Sequence, residues 1–290
     1  MKLLGEYQNG NYTVRIFNDG TKERETNDDV FISVFPECID LKITNYCDMK
    51  CPYCHEDSRL NGRHAEINSK LIDSIHPFTE LAIGGGNPLS HPGLIPFLTK
   101  LKNKNIIANI TVNQNHFMSH QELIKYLVDY DLIKGLGVSF VKVTDEFIDL
   151  VQRYPNAVIH TINGITTMED FRKLYGYNLK TLILGYKEIR RGKTYHSPEV
   201  ETHKFEIYEN ISDIVNGFKV VSFDNLAIKQ LELKRIFTEK DWNEFYMGDD
   251  GQYTMYIDLV EKEFALSSTS AQRFKITDSV VDMFSVVKSL

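Results

Sequence analysis

The sequence predicts an α/β fold: a parallel sheet curved into a partial (β/α)6 barrel, preceded by a β-meander and followed by a C-terminal α/β extension. Two observations predict it. Between Cys38 and Leu184, short apolar runs alternate with amphipathic helix patterns. Such repeats imply parallel strands joined by right-handed crossovers. Before residue 38, apolar and polar residues alternate around a tight-turn signal, as in antiparallel strands. With 290 residues, 42% of them hydrophobic, the chain can bury a full core. The expected divisions are 1–37 (meander), 38–223 (barrel) and 224–290 (extension).

In the meander, Tyr12, Val14 and Ile16 alternate with polar neighbours, and Asn18-Asp19-Gly20 supplies the turn. Val30–Phe35 reads as a further strand, stopped by Pro36. The barrel strands are expected at Ile39–Ile43, Leu81–Ile83, Ile106–Val112, Gly135–Phe140, Ala157–Ile162 and Leu179–Leu184. Helix starts are signalled by a capping box at Ser119-x-x-Glu122, by Thr144 before Asp145 and Glu146, and by Thr167 before Glu169 and Asp170. Ser197-Pro198 opens a helix expected to run to about Gly217, and Val220–Phe223 is a further strand. In the extension, Asp250-Gly251 opens a hairpin with arms Tyr253–Leu259 and Phe264–Leu266, and a last helix spans Ser279–Leu290.

Lys and Arg number 33 and Asp and Glu 40, so 33 − 40 = −7. That balance disfavours long nucleic acid as a partner. The start, Met1-Lys2-Leu3-Leu4-Gly5-Glu6, lacks the apolar core of a signal peptide, and no apolar run reaches the length of a membrane span. Of four cysteines, three fall within eight positions, which reads as metal binding in a reducing compartment, here the cytoplasm.

Those three are Cys47-x-x-x-Cys51-x-x-Cys54, directly after the first barrel strand. Catalytic groups of parallel β/α barrels sit at the C-terminal ends of strands. Three thiolates on one loop can grip three irons of a cubane cluster, which leaves the fourth iron open for chemistry. At the end of the second strand comes Ile83-Gly84-Gly85-Gly86-Asn87-Pro88. Successive glycines let a ligand approach the backbone, and this tip is expected to face the same cavity as the cysteine loop.

Cys47-Asp48-Met49-Lys50-Cys51-Pro52-Tyr53-Cys54 resembles the CxxxCx(aromatic)C signature of radical S-adenosylmethionine (SAM) enzymes, and Gly85-Gly86-Asn87-Pro88 resembles that family's Gly-Gly-Glu-Pro segment. The resemblance covers roughly residues 38 to 190. It implies a single [4Fe–4S] cluster on Cys47, Cys51 and Cys54, with SAM on the open iron. It also implies reductive cleavage of SAM to a 5′-deoxyadenosyl radical that removes hydrogen from a substrate. Carried over position by position, it places Tyr53 near the adenine and Gly84, Gly85 and Gly86 at the amino group of SAM. Asn113 would lie at the methionyl part, Ser139 at the ribose, and Asn163, Leu184 and Tyr186 near the adenine edge. Asn87 departs from the family's Glu; it keeps an oxygen acceptor but lacks the charge for a carboxylate–ammonium contact.

The basic segment Lys187–Lys193 is expected at the barrel mouth, where Arg190, Arg191 and Lys193 are candidates for binding a phosphate or carboxylate. Cys38 reads as a small buried thiol at the far end of the first strand. His55 is a candidate for hydrogen-bonding a cluster sulfur or the substrate, and His91, His160 and His196 for lining the cavity, with structural hydrogen bonding as the default role of a lone histidine. Too few cysteines exist for a second cluster, so electrons are expected from a flavodoxin- or ferredoxin-like partner. The substrate reads as a peptide or as a phosphorylated small molecule or nucleotide. Two other classes stay open: an iron–sulfur electron-transfer or regulatory protein without SAM cleavage, and a zinc-stabilised binding module with His55 as fourth ligand.

Overall fold

The computed structural model describes residues 2–67 and 69–290; the first residue of the expected meander lies outside them. The meander is β1 (Leu3–Asn9), β2 (Tyr12–Phe17) and β3 (Lys22–Glu25), paired antiparallel in that order. Val30–Phe35 is not a strand. Its backbone is hydrogen-bonded by side chains instead of by a neighbouring strand. Asn9 Oδ1 accepts the amides of Val34 (2.8 Å) and Phe35 (3.2 Å), and Asn11 Oδ1 accepts that of Ile32 (2.7 Å). Val30, Ile32 and Val34 are left exposed.

The barrel strands are β4 (Cys38–Thr44), β5 (Glu80–Gly85), β6 (Ile107–Asn113), β7 (Gly135–Ser139), β8 (Ala157–Ile162), β9 (Lys180–Leu184) and β10 (Val220–Phe223). All are parallel to their neighbours, in sequence order. The expected extension joins the same sheet. There, β11 (Thr254–Asp258) lies parallel to β4 on its other side, followed antiparallel by β12 (Glu263–Ala265) and β13 (Phe274–Lys275). β10 and β13 are the edges, so the barrel is open.

The helices are α1 (Lys70–Asp73), α2 (Leu94–Asn103), α3 (Gln114–Ser119), α4 (Gln121–Asp129), α5 (Asp145–Gln152), α6 (Met168–Leu174), α7 (Arg191–Tyr195), α8 (Pro198–Glu209), α9 (Ile211–Gly217), α10 (Asn225–Gln230), α11 (Glu239–Phe245) and α12 (Val280–Lys288). Thr144 and Thr167 cap α5 and α6 as expected, the latter in a reciprocal capping box with Asp170. The box at Ser119 does not form. Ser119 is the last residue of α3, its hydroxyl donates back to Asn115 O (2.8 Å), and His120 stands at the start of α4. Ile39, Leu41, Ile43, Leu81, Ile83, Ile110, Leu136, Val138, Ile159 and Ile183 fill the core between sheet and helices. The opposite face lines an open lumen: Asp40 is exposed although β4 lies between two paired strands.

The meander plugs the base. Tyr7, Tyr12, Val14 and Ile16 pack with Phe35, Ile107 and Tyr253. Buried Glu37, just before β4, accepts from Tyr12 Oη (2.6 Å) and Arg24 (2.8 and 3.0 Å), and pairs with Lys22 (3.3 Å). Breaking one partner of such a buried set leaves an uncompensated charge.

Candidate active site

The cysteine loop and the glycine tip meet as the sequence predicts. β4 runs into the loop, and Thr44 O and Tyr46 O accept the amides of Gly86 and Asn87, both at 2.7 Å. The return of the loop lies alongside: Asn45 N donates to Arg63 O (2.9 Å) and Cys47 N to Arg59 O (3.0 Å). The approach explains two of the three glycines. A Cβ on Gly85, at φ +114°, would lie 2.4 Å from Thr44 O, and one on Gly86 would lie 2.1 Å from Tyr46 O. Gly84 differs: a Cβ there would meet nothing within 4 Å, so its Cα faces open space.

Cys47, Cys51 and Cys54 are half-buried free thiols. Burial pushes the Cys47 and Cys51 thiols up, against the lowering influence of the Arg191 guanidinium. Three unpaired thiols on one loop, held against a glycine tip that leaves open space at Gly84, fit a cluster with a small ligand next to it. Cys38 begins β4 at the other end, and burial pushes its thiol up too.

The remaining expected residues sort by what they touch. Asn113, at the tip of β6, caps α3 by accepting from Asn115 N (2.9 Å), and its amide lies 4.0 Å from Cys51 Sγ. Asn87 Oδ1 accepts from Leu89 N (3.1 Å) and caps the 3-10 turn Pro88–Ser90, so its side-chain acceptor is engaged in folding the tip. Tyr53, its hydroxyl pushed up to about 12 by burial, packs edge-on against Tyr195 at 5.7 Å. Ser139 and Leu184 are half-buried at the tips of β7 and β9. Asn163 is fully buried and donates to Gln230 Oε1 (3.0 Å), while its own Oδ1 has no partner among the described residues. Tyr186 is buried and donates to Gly192 O (2.6 Å).

The basic segment is turned inward. Arg190 donates to Glu56 Oε2 (3.2 Å) and to the His55 and Glu56 carbonyls (3.3 and 3.1 Å); Arg191 donates to Ser58 O (2.8 Å) and pairs with Asp57 (3.1 Å). Both guanidinium groups therefore brace the cysteine loop, Arg191 half-buried and Arg190 with part of its side chain still in solvent, while Lys193 is exposed. His91 bonds Ala65 O (3.0 Å) and His196 pairs with Glu201 (2.6 Å), both structural roles.

Three residues of the site, Lys42, Glu56 and Asp258, escaped the sequence reading, whereas His55, His160 and the segment from Lys187 were among its candidates. Lys42, on the lumen face of β4, pairs with Glu56 (2.8 Å) and Asp258 (3.0 Å), all three buried. Burial would raise the Glu56 carboxyl; His55 and Lys42 outweigh it and hold the carboxyl well below the usual range. Lys187 Nζ reaches Ser268 Oγ (2.9 Å) and His55 Nε2 (3.4 Å). His160 leans over Gly137, where a Cβ would lie 2.3 Å from its ring, and burial holds it down to about 4, a neutral imidazole in the lumen. A signal existed: Asp40 and Lys42 interrupt the apolar run of β4, as charges on a lumen face would. Two clefts, of about 690 and 410 Å³, lie on the helical layer around Ile95 and Arg172, away from the cysteines.

A family model described as the radical SAM superfamily matches residues 41–191. A probable GTP 3′,8-cyclase of Methanococcus maripaludis is 31% identical over 119 residues, a match spanning 39% of this chain and only 37% of that protein. An uncharacterized protein of Methanocaldococcus jannaschii is 21% identical over 232 residues, 77% of this chain and 74% of that one. Among solved structures, Streptococcus suis SuiB bound to the precursor peptide SuiA has a TM-score of 0.64 at 14% identity, covering 89% of this chain and 68% of SuiB. SuiB bound to S-adenosylmethionine has a TM-score of 0.59 at 13% identity, covering 84% and 64%. At these identities the likeness is one of fold.

Proposed function

The chain belongs to the radical SAM superfamily, whose cofactors are a [4Fe–4S] cluster and SAM, and from that premise we propose that Cys47, Cys51 and Cys54 hold the cluster. When bound, the pair supplies reductive cleavage of SAM and a 5′-deoxyadenosyl radical that removes hydrogen from substrate. The contact between the cysteine loop and the glycine tip supports the assignment: it joins the chain that leads into the three free thiols to the tip that carries the open position at Gly84. Gly84 leaves room for the amino acid end of SAM, and the backbone at Gly85 and Gly86 holds the tip against the loop. Asn113 orients the loop at Cys51. Ser139, Asn163, Leu184, Tyr186 and Tyr53 are assigned to the adenosine side. Asn87 acts through its cap on the tip and contributes no charge.

The substrate is proposed to be a peptide, which SuiB's complex with a precursor peptide supports. A phosphorylated nucleotide is the second reading, favoured by the name of the cyclase relative. The engagement of Arg190 and Arg191 with the cysteine loop weighs against it, since a phosphate would have to displace Glu56 and Asp57. A flavodoxin- or ferredoxin-like protein is assigned as reductant and the cytoplasm as the site of action. Among the described residues, no helix is long and apolar enough to cross a membrane.

The test is anaerobic reconstitution with iron and sulfide, an absorbance spectrum, and a SAM-cleavage assay with dithionite. A brown protein that yields 5′-deoxyadenosine is expected. A brown protein that neither binds nor cleaves SAM would support the electron-transfer alternative, and a colourless protein with one tight zinc the binding module.

A further inference from the structure

The three-cysteine loop is clamped at both ends. At its start, Asp48 meets His116 Nε2 of α3 at 2.6 Å, with Asp48 half-exposed. At its end, two residues past Cys54, Glu56 is buried and bound from four directions. Lys42 Nζ of β4 lies at 2.8 Å, Arg190 at 3.2 Å, Tyr256 Oη of β11 at 3.3 Å and His55 Nε2 at 3.4 Å. Lys42 is tied in turn to Asp258 of β11. Between the clamps, backbone support is sparse: Cys54 N donates to Cys51 O at 3.3 Å, one turn's worth, and Lys50 sits at φ +51°, a strained value for a side-chain-bearing residue. A loop of this kind takes its shape from what grips its side chains.

We propose that Glu56 is a positioning residue that locks the three-cysteine loop onto β4, and that β11, 200 residues away in sequence, completes the lock through Tyr256 and Asp258. The physical basis is burial. Opposite charges removed from water attract more strongly than exposed ones, and a buried carboxylate with several donors loses much if the loop lifts away. The half-exposed Asp48–His116 contact holds its end more weakly. In consequence the C-terminal segment is part of the housing of the cysteines. This rests on the assignment of Cys47, Cys51 and Cys54 as ligands, and it concerns the loop before any cofactor enters.

The test is cysteine alkylation on full-length, cofactor-free protein, with iodoacetamide under native conditions and each thiol followed by mass spectrometry. Glu56→Gln is expected to speed labelling of Cys51 and Cys54 by about tenfold, the factor expected when a charged hydrogen-bond network is weakened. Tyr256→Phe is expected to give a smaller rise, and Glu56→Asp, which keeps the charge, to label more slowly than Glu56→Gln. Cys38, half-buried like the motif cysteines but at the other end of β4 and outside the lock, is expected to label at the wild-type rate. Arg59→Gln, which removes an exposed pair on the same loop, is expected to change nothing. Wild-type rates in Glu56→Gln would overturn the proposal; so would Cys38 accelerating in step with the motif cysteines, since that is global destabilisation. Failure of the ligand assignment would appear separately, as wild-type protein that takes up no iron while its labelling pattern is unchanged.

Discussion

Substituting alanine at Gly84 and at Gly86 separates two roles that one glycine run performs. At Gly86 the new methyl would stand 2.1 Å from Tyr46 O and 2.7 Å from Tyr46 C, atoms of the backbone that leads into Cys47. Backbone cannot rotate away as a side chain can, so the β5 tip must retreat. Overpacking of this kind costs about 1–3 kcal/mol. Retreat also weakens the 2.7 Å bonds that Gly86 N and Asn87 N make to Thr44 O and Tyr46 O, at about 0.5–1.5 kcal/mol for each one lost. Gly86→Ala is therefore expected to destabilise the fold by roughly 2–4 kcal/mol, a fall in melting temperature on the order of 4–10 °C for a chain of this size. At Gly84 nothing lies within 4 Å of the new methyl, so Gly84→Ala should melt within about 2 °C of wild type. Its methyl fills the space assigned to SAM, however, and SAM binding to the reconstituted protein should fall at least about tenfold, the factor of 1.4 kcal/mol. Differential scanning calorimetry of the cofactor-free variants and equilibrium dialysis with labelled SAM measure the two effects. The reasoning fails if Gly84→Ala melts lower than Gly86→Ala, or if Gly84→Ala binds SAM as well as wild type.

Replacing Cys47, Cys51 or Cys54 singly with Ala should abolish stable iron incorporation on reconstitution, read by iron analysis and the visible spectrum. Cys38→Ala should retain it, because its thiol lies at the opposite end of β4. Asn87→Ala should cost about 0.5–2 kcal/mol in thermal or urea unfolding by removing the cap on Leu89 N, while SAM affinity shifts less than in Gly84→Ala. His160 gives a pH signature. Its folded value of about 4 lies below the unfolded value near 6.5, so between those limits the unfolded chain binds more protons. Stability is complete above about pH 6.5 and falls by roughly 1–3 kcal/mol as pH drops toward 4. His160→Gln should flatten that slope in urea titrations across the window, and an unchanged slope would remove His160 as its source.

The strands of the barrel were legible in the sequence because each carries its own local signal. The apolar runs at Ile39, Leu81, Ile110, Leu136, Ile159 and Ile183 face the helices and must be apolar wherever the chain goes. The cysteine spacing was legible for a similar reason: ligand chemistry on one loop is contiguous. Val30–Phe35 misled because its β-branched residues satisfy strand propensity, while Asn9 and Asn11 claim its backbone from a distance. Ser119 misled because a capping box is a local pattern, and the helix boundary was set one residue later by the packing of α3.

By itself, then, the sequence determined the α/β class, the order of the barrel strands, and the pairing of a three-thiol loop with a glycine tip, since all of these rest on neighbours in the chain. Only the tertiary structure decided that β11 returns to lie beside β4 and that Glu56 gathers Lys42, Arg190 and Tyr256. It likewise decided that Arg190 and Arg191 bond to the cysteine loop. Those outcomes turn on charges from distant segments being buried together, and the strength of such contacts depends on burial that no single stretch of sequence encodes.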